Sequence, residues 1–154
     1  MWLLFFCLPG HVGAAGKPGG PEHEYVPRRD LKEIQTVVDD LLSRMELHET
    51  VGVTIVPRNR LTVSVERKDE GTGDFLLSIE EGFLDELNEE QTRAAIAHEL
   101  GHVWIFTHHP YLQTETLANQ IARRVVTRDA LVQVYEKLWK HRGTTGDLAR
   151  LVGD

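Results

Sequence analysis

The stretch that decides the fold is Asn88-Glu89-Glu90-Gln91-Thr92-Arg93-Ala94-Ala95-Ile96-Ala97-His98-Glu99-Leu100-Gly101-His102-Val103-Trp104-Ile105-Phe106. Asn88 is a good helix cap, and Gln91, three positions on, puts the two in capping-box register. Beyond the cap, Ala94, Ala95, Ile96, Ala97, Leu100, Val103, Trp104, Ile105 and Phe106 fall on nearly every side of a helix, which marks a buried one. Pro110 ends it at or before His109. Into this apolar cylinder the chain sets two histidines, a glutamate and a glycine. Buried polar groups are costly without partners, and glycine in a helix interior costs about 1 kcal/mol. A sequence that tolerates all four gains something from them. His98 and His102 are four apart and share a face, so their imidazoles can grip one cation from the same side. Glu99 is turned by about 100°. It flanks the ion's open side, where a carboxylate takes a proton from a zinc-activated water instead of ligating.

A catalytic zinc takes three protein ligands and keeps one position open. The third ligand is expected from the next helix, because Pro110 forces a reversal near residues 107–112. His102 precedes that reversal by about five residues, or about 7 Å of helix rise, and Glu115 returns to the same height. The bland alternative for Glu115 is a first-turn carboxylate favoured by the helix dipole. Asn119 shares its face, and its amide oxygen suits the non-ligating nitrogen of a zinc histidine. Ala118 is small and lets the two helices approach. His108 and His109 are the rival third ligands. A histidine six residues after His102 is familiar in zinc sites that turn on a preceding glycine, but Ile105 stands at that glycine's position.

Outward from this core, Asp30 caps an amphipathic helix expected to run to about Leu47, with Leu31, Ile34, Val37, Val38, Leu41, Leu42 and Met45 on its apolar stripe. Val51–Val56 and Leu61–Val65 read as strands joined by a hairpin across Pro57-Arg58-Asn59-Arg60. A turn at 69–73 leads to a third strand, Phe75–Ile79, expected to be the sheet edge that binds an extended substrate. Glu80–Leu87, 112–126, 130–141 and 147–152 read as further helices. The expectation is an α+β fold: a small, mostly antiparallel sheet packed on the buried helix and further helices, in a single domain over 30–154.

The 154 residues suffice for one core without staples. A net charge of -7 argues against nucleic-acid binding. Cys7 is the single cysteine and lies in the N-terminal apolar run, so any metal must use His, Asp or Glu; the helix at 30–47 has no cysteine with which to cap a metal, so it reads as core packing and not as a thiolate-switch propeptide. Met1–Leu8 is apolar but too short to span a bilayer. With Gly13-Ala14-Ala15 behind it, residues 1–15 read as a signal peptide, which implies a secreted or periplasmic protein; without a signal the protein would be cytoplasmic. Residues 16–29, rich in Gly and Pro, read as a flexible linker.

Two stretches carry a resemblance. Gly73-Asp74-Phe75, Gly82-Phe83-Leu84 and Leu87-Asn88-Glu89-Glu90, followed by Ala97-His98-Glu99-Leu100-Gly101-His102, resemble the HtpX/Ste24 class of gluzincin metallopeptidases. Glu115-x-x-Ala118-Asn119-x-x-Ala122 resembles the end of the ImmA/IrrE-type peptidases and of compact minigluzincins. HtpX-like enzymes carry Asp where this chain has Asn119, and the gap between His102 and Glu115 is shorter than theirs. The resemblance implies one Zn2+ ion, a peptide or protein substrate and hydrolysis of peptide bonds, where the residues alone imply metal-assisted hydrolysis. Glu99 would be the general base, and Tyr111, His108, His109 and Arg123 are candidates for the rim or for oxyanion stabilisation. The alternatives are a zinc-bearing regulatory or binding protein without turnover, and a metal-free α+β interaction domain.

Overall fold

In the computed structural model, residues 30–68 and 73–153 are described. The expected signal peptide, linker and most of the turn at 69–73 lie outside them. Asp30 accepts a hydrogen bond from the Lys32 amide (2.9 Å) and starts α1 (Leu31–Arg44), which buries Ile34, Val38, Leu41 and Leu42. The helix stops before Leu47 because Glu46 takes a positive φ of 56°. Met45 and Leu47 still fold back into the core.

Three strands follow: β1 (Thr50–Val56), β2 (Val63–Arg67) and β3 (Asp74–Glu80). Their order is β1-β3-β2, with β3 parallel to β1 and antiparallel to β2. This corrects two expectations. The sheet is mixed, and β1 and β2 form no hairpin; residues 57–62 carry the chain past β3 to its far side. Asn59 holds that crossing by donating from Nδ2 to Ser64 Oγ and to the Ser78 carbonyl (both 3.0 Å), while its Oδ1 accepts from the Leu61 amide (2.9 Å). The strand over Phe75–Ile79 is therefore the centre of the sheet and not its edge. Alternation tells which side chains face the core, and it reads the same for an edge strand and a central one.

The two real edges differ. On the β1 side, Gln35 of α1 donates to the Val51 carbonyl (2.9 Å) and accepts from the Val53 amide (3.1 Å), so a side-chain amide covers that edge as a neighbouring strand would. On the β2 side, Thr62 accepts from the Glu80 amide and Ser64 is opposite Ser78. By antiparallel alternation Val63 and Val65 then turn their backbone groups outward.

After the short α2 (Glu81–Glu86), the capping box forms as read: the Gln91 amide donates to Asn88 Oδ1 (2.8 Å) and the Asn88 amide to Gln91 Oε1 (3.0 Å). α3 (Glu89–His108) runs from that cap through the middle of the core. Pro110–Leu112 form one 3-10 turn, and Thr114 caps a helix shorter than the expected 112–126, α4 (Glu115–Ala122). Thr127 caps α5 (Arg128–Arg142), which ends at a left-handed Gly143, and Asp147 caps α6 (Leu148–Val152). The architecture is α+β, and among the described residues no helix is long and apolar enough to cross a membrane.

α3 and α4 touch at Gly101, where a Cβ would sit 2.5 Å from the Ala118 carbonyl oxygen. That contact is with backbone and cannot swing aside. Gly101→Ala is therefore expected to destabilise the fold by about 1–3 kcal/mol through overpacking, although Ala is favoured over Gly by about 1 kcal/mol in a helix interior. Urea unfolding of the two proteins reads the sign directly.

Candidate active site

The close approach at Gly101 sets the first turn of α4 against the middle of α3. Glu115, the first residue of α4, meets both histidines: His98 Nε2 lies 3.1 Å from Glu115 Oε2, and His102 Nε2 lies 3.4 Å from Glu115 Oε1. One donor atom from each residue lies within 4.8 Å of the others, and His98, His102 and Glu115 are the one such group among the described residues.

The opposite ring nitrogens are fixed by two amides. His98 Nδ1 is 2.8 Å from Asn119 Oδ1. Asn119 is fully buried, and its Nδ2 donates to the Leu151 carbonyl (3.0 Å) and to the Tyr135 hydroxyl (2.9 Å). A carbonyl only accepts, so the Asn119 oxygen must face His98, and His98 Nδ1 must donate. His102 repeats the logic with Gln113, whose Nε2 donates to the His102 carbonyl and whose Oε1 lies 3.1 Å from His102 Nδ1. With Nδ1 donating in both rings, Nε2 is the nitrogen turned towards Glu115, and losing its proton leaves the tautomer a metal requires.

Electrostatics in the metal-free protein follow from this crowding. Hydrogen bonds from His102 and His98 hold the Glu115 carboxyl well below the usual carboxylate range. Burial alone would lower His102, but the Glu115 hydrogen bond and the Glu99 charge outweigh it and push the imidazole up to about 9. Burial raises Glu99, against the histidines and a backbone hydrogen bond from Val65 on β2 that lower it. Burial and the nearby Glu115 charge raise Tyr135, which keeps its phenol an O–H donor, 3.4 Å from Glu115 Oε2.

These groups line an open cleft of about 1950 Å³ that runs along β2 and past α4 to α5. None of Tyr111, His108, His109 and Arg123 lines it. His108 stacks on Trp104 at 4.2 Å and hydrogen-bonds the Trp104 carbonyl, while His109 is tilted against the same indole. Tyr111 is 93% exposed, and Arg123 donates to the Val152 carbonyl to anchor α6. Pro110 turns the chain so tightly that residues 108–111 project away from the histidine face of α3. Tyr135 and Gln113 are the two site residues that sequence reasoning missed. Gln113 sits 11 residues past His102, just after the reversal, and the height argument that selects Glu115 could have found it. Tyr135 comes from a helix whose placement no local pattern reveals.

The His102 proton has consequences that can be measured. Its value is raised from 6.5 to about 9, so in the metal-free protein its ion pair stabilises the fold fully below pH 6.5 and is lost as pH rises through 9. A cation must displace that proton. The apparent zinc affinity of the metal-free protein is therefore expected to rise about tenfold per pH unit between pH 6.5 and 8, with about one proton released per ion, as read by calorimetry in buffers of different ionisation heat.

The model of peptidase family M48 matches residues 32–152. Among solved structures, the metallopeptidase zymogen abylysin of Pyrococcus abyssi has a similar fold, with a TM-score of 0.54 and 15% identity over 74% of this chain and 99% of that one. No curated protein sequence matches the chain. A family match over most of the chain, including the helix that carries His98 and His102, makes this protein a metallopeptidase that belongs to peptidase family M48.

Proposed function

We propose that the protein is a zinc-dependent endopeptidase in which His98, His102 and Glu115 hold one Zn2+ ion and Glu99 is the general base. The observation that carries this reading is the convergence of three donors within 4.8 Å, with both Nδ1 atoms already committed to amide oxygens. Two imidazole nitrogens and one carboxylate oxygen are a donor set that suits zinc and leaves a coordination position open. When bound, zinc supplies Lewis acidity that polarises a carbonyl and makes water acidic enough to attack at neutral pH.

The chain's own residues do the rest. Asn119 and Gln113 hold the two rings in one tautomer and orientation. Glu99 stands beside the histidines with a pKa raised by burial, suited to take a proton from the attacking water and return it to the leaving amine. The Tyr135 hydroxyl, 3.4 Å from Glu115 Oε2, takes the oxyanion role in place of Tyr111, His108, His109 and Arg123, which do not line the cleft. An extended peptide lies along the outer edge of β2, where the carbonyls of Val63 and Val65 face outward while their amides are bonded to Leu61 and Glu99. Secretion, read from Met1–Leu8 and Gly13-Ala14-Ala15, belongs to the same proposal.

A zinc-binding protein without turnover would share the three ligands but has no use for Glu99. Glu99→Gln is expected to bind one equivalent of zinc and to lose hydrolysis of a casein or peptide-library substrate by about 100-fold or more. Unchanged turnover in the zinc-loaded variant would remove Glu99 from the mechanism, and absence of turnover in the zinc-loaded native protein would favour the binding protein.

A further inference from the structure

The chain carries 17 lysines and arginines against 24 aspartates and glutamates, yet the cleft reverses that balance. Arg60, Arg67, Arg142 and Arg150 line it, and Glu66 is the one acidic lining residue besides Glu99 and Glu115. Those two are occupied by the site itself. The arginines come from separate parts of the fold: the crossing before β2, the end of β2, the last turn of α5 and α6.

One contact sets two of them together. Glu80, at the end of β3, accepts from the Asn59 amide at Oε2 (3.2 Å), and its Oε1 lies 3.1 Å from His141 Nε2. His141 Nδ1 in turn lies 2.7 Å from Glu86 Oε1. A single carboxylate thus ties the residue before Arg60 to the residue before Arg142, so the two chain segments that carry these cleft-lining arginines meet at the end of β3, beside the start of β2. Glu80 and Glu86 are engaged with His141. Both arginines are exposed, and neither guanidinium has an acidic partner among the described residues. Arg150 lies on the opposite side, beside the site, where its carbonyl accepts from Thr116 next to Glu115. Arg67 stacks over the Phe106 ring at 5.3 Å.

We propose that the cleft selects peptides carrying carboxylates, with the Arg60–Arg142 pair receiving one of them at the end where β2 begins. The proposal rests on the peptidase reading for the ligand being a peptide, and it adds the substrate class. Guanidinium forks bind carboxylates with charge-assisted hydrogen bonds. Positive potential concentrated in a cleft on a negatively charged protein steers acidic ligands to that one place. The carboxylate can be an internal Asp or Glu side chain or the peptide's own C-terminus, since both present the same chemistry.

The test uses the full chain as the zinc-loaded Glu99→Gln variant, so that binding is read without cleavage. Fluorescein-labelled decapeptides share one Ala/Leu frame. One carries two Glu, one two Gln and one two Lys, all amide-capped; a fourth carries two Gln and a free C-terminal carboxylate. Fluorescence anisotropy is expected to show the Glu peptide binding about tenfold tighter than the Lys peptide at low salt, with the difference shrinking as salt is raised. Tighter binding of the free-carboxylate peptide than of its capped twin would assign the arginine pair to a chain terminus, and equal binding of the two would assign it to internal side chains. Adding Arg60→Glu and Arg142→Glu together is expected to abolish or invert the Glu-to-Lys ratio. That ratio is taken within one preparation and does not depend on the fraction folded. Equal affinity for the Glu and Lys peptides, or a ratio unmoved by the double reversal, overturns the proposal. If the zinc-loaded native protein fails to cleave the peptide that its variant binds best, the hydrolytic reading fails while charge selection stands.

Discussion

The site depends on how closely two backbones can lie. Gly101 in α3 and Ala118 in α4 approach until a Cβ on residue 101 would stand 2.5 Å from a carbonyl oxygen. At that separation the first turn of α4 faces the histidine stripe of α3, and Glu115 reaches both imidazoles. A wider gap would leave His98, His102 and Glu115 in the same order along the chain with no common point to face. The unfavourable placing of glycine inside a helix is thus offset by an inter-helix approach that no larger residue permits.

Close approach alone does not orient an imidazole. Each ring is held by an amide that is itself held by a main-chain carbonyl, Leu151 for Asn119 and His102 for Gln113. The first of these links passes from α3 through the fully buried Asn119 to α6 and to Tyr135 on α5. The C-terminal helices, which contribute no donor to the His98–His102–Glu115 group, therefore take part in setting its geometry. On the other side, β2 supplies the Val65 hydrogen bond to Glu99 and forms the wall along which an extended chain can lie.

What the sequence disclosed followed the range of the interactions involved. The cap at Asn88, the all-round burial of α3, the shared face of His98 and His102, and the return of Glu115 after Pro110 are set by neighbours in the chain, and they were legible. The order of the strands was not. Phe75, Leu77 and Ile79 alternate as an edge strand with one buried face would, and nothing in that alternation shows that β2 crosses to the far side of β3. Asn59, which holds the crossing through Ser64 and Ser78, reads locally as an ordinary turn residue. Tyr135 was hidden for the same reason, since it reaches the site only through the packing of α5. His108 and His109 were plausible by residue type and misplaced by geometry: the turn at Pro110 leaves them on Trp104.

One cation held between α3 and α4 is the centre of the proposed site. Anomalous diffraction at the zinc edge, from crystals of the zinc-loaded native protein, observes that cation directly. A single peak is predicted, with His98 Nε2, His102 Nε2 and a Glu115 oxygen each about 2.0–2.2 Å away. A peak held instead by His108 or His109, or no peak near Glu115, would contradict it.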